Sequence, residues 1–174
     1  MLNAKALSEL LSKNSDERLC KRWYLMTPNG TLLAHTQPTS ARELRQQVAM
    51  VALSWQEQQQ PSSTELDEAS RKRDLYTLLI ESDVHNILVR KIQPQLLLVL
   101  EGGVPPRKRS FEPRVVAEGP DGEPLHEAES SMSTTTAGVI GLHKKKLAAM
   151  AAAMIAEFER TGFKMPEEGS NHLF

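Results

Sequence analysis

Five histidines and one cysteine are the side chains of this chain best suited to binding a metal or forming a covalent intermediate. A metal site needs two or more His, Cys or carboxylate ligands at helix or loop spacing. His35, His85, His126, His143 and His172 are scattered, with no HxxxH, HExxH or CxxC pairing. Cys20 with a distant histidine is a combination most sequences supply, and no GxSxG elbow is present. The pair Gly102-Gly103 after Glu101 lacks the Lys-Ser/Thr ending of a phosphate loop. Three basic triplets, Arg71 to Arg73, Arg107 to Arg109 and Lys144 to Lys146, fall in separate stretches of a chain that is 5% aromatic, which is a poor nucleic-acid face. The expectation is therefore no catalytic residue, no cofactor, no metal and no nucleic acid: an interaction module, not an enzyme.

The composition suits one domain. With 174 residues, 40% hydrophobic content and a net charge of −1, the chain can bury an ordinary core and carries no global field toward nucleic acid or anionic membrane. The lone Cys20 has no internal partner and sits beside an apolar run, where it reads as a small core residue in a reducing compartment. Lys5 and Lys13 lie within an amphipathic pattern, so no leader is expected at the start. The most apolar stretch, Leu147 to Ala156, is about half the roughly 20 residues of a membrane span. Position 2 is Leu and the last four residues hold no cysteine, so neither myristoylation nor prenylation is expected. Any membrane attachment is expected to be indirect.

The elements that must position these residues follow from periodicity. Ala4, Leu7, Leu10 and Leu11 recur at helical spacing. Trp23 to Met26 and Thr31 to Thr36 flank a Pro28-Asn29-Gly30 turn and predict a hairpin, since Asn and Gly both accept positive φ. Thr39 or Ser40 is a candidate N-cap for a second helix over Ala41 to Gln58, with Glu43 in its first turn. That helix has a core stripe of Leu44, Val48, Val51, Ala52 and Trp55, but Ala49, Met50 and Leu53 fill the flank, so residues 48 to 53 are apolar almost all round. A surface helix with one buried face would not need this, and two readings fit: a helix tucked under a loop of its own chain, or one buried by its sheet on one side and by a partner subunit on the other, the second being the expectation.

Gln59 to Ser70 reads as an exposed polar loop. Leu75 to Glu81, His85 to Ile92 and Leu96 to Leu100 predict an antiparallel meander, because the connections are too short for crossovers. From about residue 103 to 137, prolines, glycines and a Ser/Thr run replace large apolar groups, and a disordered insert is expected, with Ser110 a candidate kinase site. A last helix is expected over Val139 to Thr161, with Lys144 to Lys146 a solvated face or, as the alternative, a contact for an acidic partner, Gly162 as its stop and 163 to 174 as a short polar tail. The fold class is α+β, five antiparallel strands between helices in the order α-β-β-α-β-β-β-α.

This order resembles the roadblock (dynein light chain) family, whose fold is profilin-like. Met1-Leu2, Lys5-Ala6-Leu7, Leu10-Leu11 and Asn29-Gly30-Thr31-Leu32-Leu33-Ala34 resemble the opening helix and hairpin of the roadblock subunit of the Ragulator adaptor or its fungal EGO-complex counterpart. Ile92, Leu96-Leu97-Leu98 and Glu101-Gly102 resemble the family's last strand, and Gly141-Leu142, Lys144 and Lys146 the start of its last helix. The resemblance covers about residues 1 to 103 and 138 to 162, and the long insert departs from the family's short connection.

The resemblance implies a non-catalytic scaffold that dimerises with another roadblock-domain protein and recruits Rag-type GTPases in amino-acid signalling to the target-of-rapamycin kinase. It would sit on the late endosome, lysosome or vacuole through a lipid-anchored scaffold subunit. The implied interface is the second helix, at Val48, Met50, Val51, Leu53, Ser54 and Trp55, and the edge strand, at Leu75, Tyr76, Thr77, Leu78, Leu79 and Ile80. Two alternatives stay open: a dynein-associated or bacterial-type roadblock module, and a small-ligand sensor on a longin- or profilin-like scaffold with an internal pocket.

Overall fold

A computed structural model describes residues 2–60, 74–105, 112–125 and 134–167. Three helices, α1 (Ala4–Lys13), α2 (Ala41–Gln59) and α3 (Thr134–Thr161), flank strands β1 (Cys20–Met26), β2 (Leu32–His35), β3 (Thr77–Glu81), β4 (His85–Gln93), β5 (Leu96–Gly103) and β6 (Arg114–Glu118). The strands form one sheet in the order β2-β1-β5-β4-β3-β6. Every neighbouring pair is antiparallel. The fold class is the expected one, with six strands in place of five.

The sheet carries a core on each face. On one side Trp23, Leu25, Leu88, Leu98 and Leu100 meet Leu11 of α1 and Leu147, Met150, Met154 and Phe158 of α3. On the other, Tyr24, Met26, Leu78, Val89, Leu97 and Val99 meet Leu44, Val48, Val51, Ala52 and Trp55 of α2. Alternate side chains of a strand point to opposite faces, so β5, buried along its whole length, feeds both cores. Cys20 is buried in the α1/α3 core as expected, and burial, with Asp16 nearby, pushes its thiol up to about 11.

Local chemistry explains the ends of the elements. Asn3 caps α1 by accepting the Ala6 N–H at 3.1 Å. Ser40 occupies the N-cap position of α2, but its side chain makes no capping bond there, contrary to expectation. In the hairpin turn only Gly30 takes positive φ, at 93°, while Thr27 and Thr31 close the loop through a 2.9 Å backbone bond. After α1, Asp16 Oδ1 accepts the N–H groups of Arg18, Leu19 and Cys20. Burial opposes the charge on Asp16, but these three donors outweigh it and hold the carboxyl below its usual range.

Three expectations are corrected. First, the insert expected to be disordered holds β6, followed by a turn at Gly119 to Glu123 and a bridge from Glu118 to Pro124. Residues 106–111 and 126–133 of that stretch, Ser110 among them, lie outside the described residues, as does most of the Gln59 to Ser70 loop. Second, α3 begins at Thr134, five residues before Val139. Third, the chain after Gly162 is fastened to the sheet: Gln93 Nε2 donates to the Phe163 carbonyl at 3.0 Å, and Gln93 Oε1 accepts the Met165 N–H at 2.8 Å. Phe163 also packs on Phe158, with ring centroids 5.1 Å apart. The physical reason is that Phe163 and Met165 are apolar residues next to a core, and their local sequence does not reveal where they land.

Under the first turns of α3, a polar row crosses the sheet. Arg114, Glu81, Asn86 and Gly102 are successive partners on β6, β3, β4 and β5. His143 of α3, fully buried, sits directly over Gly102, and a Cβ added there would overlap its imidazole. Only glycine lets the helix approach so closely. Gly102→Ala should therefore cost about 2 kcal/mol and lower Tm by roughly 4–8 °C. The cost should shrink in the Gly102→Ala/His143→Ala pair, measured as a double-mutant cycle by thermal melting; equal costs in both backgrounds would remove His143 as the obstacle.

Candidate partner interface

The candidate interface residues of α2 separate into two sets. Val48, Val51 and Trp55 are turned into the sheet and buried, at 5%, 0% and 0% exposure. Met50 and Leu53 face outward, at 39% and 62% exposure, beside exposed Ala49 and half-buried Ser54. The helix thus seats one complete stripe on its own sheet and still presents apolar surface one turn long on the outside. Single exposed apolar residues are ordinary; here two lie one helical turn apart on the same flank.

A polar clamp holds the N-terminal half of this helix. The Arg22 guanidinium on β1 faces Glu43 Oε2 at 3.3 Å, Gln47 Oε1 at 3.4 Å and Glu101 Oε2 of β5 at 3.4 Å. One cation thereby ties α2 to two strands, and the strip at Met50 and Leu53 is carried on a helix anchored at both ends, by this clamp and by the buried Trp55.

The expectation that Leu75 to Glu81 forms an open edge is corrected. Leu75, Thr77, Leu78 and Leu79 are buried, and Tyr76 and Ile80 are half-buried, with the Arg90 guanidinium 5.2 Å over the Tyr76 ring. β3 is not an edge strand: β6 lies along it, with Leu79 opposite Val116 and Leu78 opposite Ala117. The physical reason is the insert, which supplies a strand where a short connection would leave the edge open. Sequence reasoning missed Arg114, Val116 and Glu118. The signal was present in Val115-Val116-Ala117 between Pro113 and the turn-forming Pro120-Asp121-Gly122, but it lay within a proline-rich stretch. β6 is pinned by ion pairs from Arg114 to Glu81 and from Glu118 to Lys144, so Lys144 is not the free cation expected of a solvated face.

The described residues contain no cluster of three or more His, Cys, Asp or Glu able to hold a metal, and none of their helices is long and apolar enough to cross a membrane. A groove of about 570 Å³ runs between the end of α3 and the β4–β5 turn, lined by Ile92, Pro94, Ile155, Phe158, Phe163 and Met165. It opens to the surface at the margin of the α1/α3 core, to which Phe158 belongs.

Near the clamp, burial lowers the pKa of His85 from 6.5; Lys21 and Arg22 add to this, and Glu101 and Asp83 oppose it. The folded state thus favours the neutral ring. The associated stability is fully present above pH 6.5, the unfolded value, and is lost as pH falls through the lower folded value. Thermal melts from pH 7.5 to 5 should show Tm falling less for His85→Gln than for the parent chain, and parallel curves would rule out His85 as a contributor.

No family model matches the chain, and no curated protein does. Among solved structures, it is similar to a roadblock/LC7 domain from Streptomyces avermitilis, at 12% identity and a TM-score of 0.46, over 59% of this chain and 79% of that one. It is similar to an MglB structure with a tetrameric arrangement, at 17% identity and a TM-score of 0.46, over 90% and 94%. It is also similar to the gliding protein MglB from Thermus thermophilus, at 18% identity and a TM-score of 0.51, over 90% of this chain and 94% of that one. At such identity the likeness is one of fold, and what the chain shares with MglB is an α+β architecture of antiparallel sheet flanked by helices.

Proposed function

We propose that this chain is a non-catalytic scaffold subunit that dimerises with another roadblock-domain protein through the outer flank of α2. In this reading the dimer belongs to a Ragulator- or EGO-like complex, recruits Rag-type GTPases in amino-acid signalling to the target-of-rapamycin kinase, and reaches the late endosomal, lysosomal or vacuolar surface through a lipid-anchored subunit. The roadblock-type fold supports the scaffold, and the opening helix and hairpin support the choice of complex.

The observation that carries the reading is the exposed pair Met50 and Leu53 on a helix whose other face is already full. Burying the part of each that is still exposed is worth roughly 0.5–2 kcal/mol, enough for two anchors of a modest interface. Because neither side chain is in the core, replacing it with a charge should leave the fold intact.

Met50→Glu and Leu53→Glu, alone and together, should reduce association on the order of a hundredfold for the pair, with thermal stability within about 0.5 kcal/mol of the parent. Affinity purification from cells with mass spectrometry is the measurement. Recovery of Rag-type GTPases and a second roadblock protein with the parent chain, and their loss with the double variant, is the expected result. Undiminished recovery would rule out the α2 flank, and recovery of dynein intermediate chains instead would favour the motor-associated alternative.

A further inference from the structure

Strand β3 is an adhesive element. Four of its five residues, Thr77, Leu78, Leu79 and Glu81, are buried, and Leu78, Leu79 and Ile80 place apolar side chains on both faces of the sheet. Left uncovered, its row of backbone N–H and C=O groups would be a template for another chain.

β6 covers that row and is built to go no further. Glu118 C=O accepts the Tyr76 N–H on the β3 side, while Ala117 C=O is turned the other way and accepts the Leu125 N–H at 2.8 Å. The outer edge is thus partly used by the chain's own return, and Pro113 and Pro124 contribute no N–H beside it. The side chains also fit: Arg114 faces Glu81, Val116 faces Leu79, and Glu118 reaches Lys144 of α3. A second copy of β3, paired antiparallel about Leu79, would instead bring Thr77 opposite Glu81 and supply no cation.

β6 is also separable from the core. Ala117 is its only buried residue, against eight of eight in β5. Segments with so little buried apolar area open locally at low cost while the rest of the domain stays folded. We propose that β6 is a cis-acting cap: it occupies the edge of β3 and prevents that strand from pairing with other chains. A tethered strand acts at an effective concentration on the order of millimolar, so a competing strand at micromolar concentration must pair about a thousandfold better to displace it.

Alternation places the Val116 N–H on the same edge as the Glu118 carbonyl, toward β3. Val116→Pro removes that donor, and Arg114→Glu sets a like charge against Glu81. Both are made in the full chain carrying Leu53→Glu, so that association through α2 does not contribute and failure of the α2 reading is scored separately. Amide exchange of residues 77 to 81 and light scattering are read over a range of concentrations, with β5 amides as the check on global folding. The capped chain should protect β3 at every concentration. Val116→Pro should speed β3 exchange roughly tenfold or more when dilute and form dimers when concentrated, with Arg114→Glu shifting both the same way. Unchanged β3 exchange, or faster exchange without any association, overturns the cap. If Val116→Pro also exposes β5, the result from Arg114→Glu decides.

Discussion

The constraint on which the rest of this structure depends is the complete burial of β5. Leu96, Leu98 and Leu100 point to one face and Leu97 and Val99 to the other, with strands on both sides. A strand placed in this way cannot have a solvent face, so helices must cover both sides of the sheet. α1 and α3 meet the first requirement and α2 the second. Because α2 covers its face alone, it must use a full stripe from Leu44 to Trp55, and the outer flank at Met50 and Leu53 is what remains of an apolar segment longer than the core can absorb.

Polar groups set the approach distances that apolar contact leaves open. Arg22 draws β1, β5 and α2 together through Glu43, Gln47 and Glu101. On the opposite face, Gly102 admits His143, and Arg114 meets the buried Glu81. A buried carboxylate is costly without a partner, and Arg114 compensates Glu81 for as long as β6 lies on β3. The two faces therefore have different polar fastenings: a multidentate cation under α2, and a row running beneath α3.

Much of the fold was legible in the sequence because its signals are local. The helical spacing of Leu7 and Leu11, the Asn29-Gly30 turn and the short links of the meander each specify their own element. β6 was obscured because five residues of modest apolarity between prolines become a strand only when β3 supplies the partner, and periodicity does not record distant partners. The same reasoning accounts for Phe163 and Met165, whose docking depends on Gln93, some 70 positions away. On α2 the excess of apolar residues was visible from the pattern, but which of them stay outside follows from how the helix is rolled against the sheet.

Cys20 has a practical meaning beyond its place in the core. It is the chain's single cysteine, buried at the start of β1 in the core that α1 and α3 cover, with its thiol pushed up to about 11. At neutral pH only about one such thiol in ten thousand is ionised, against a few per cent for an exposed cysteine, and the thiolate is the reactive form. The native chain is thus nearly silent toward maleimides and iodoacetamides. Cysteines introduced on the outer surface at Ala49 and Val115 would carry a pair of fluorophores or spin labels without first removing the native one, and the distance between α2 and β6 becomes measurable.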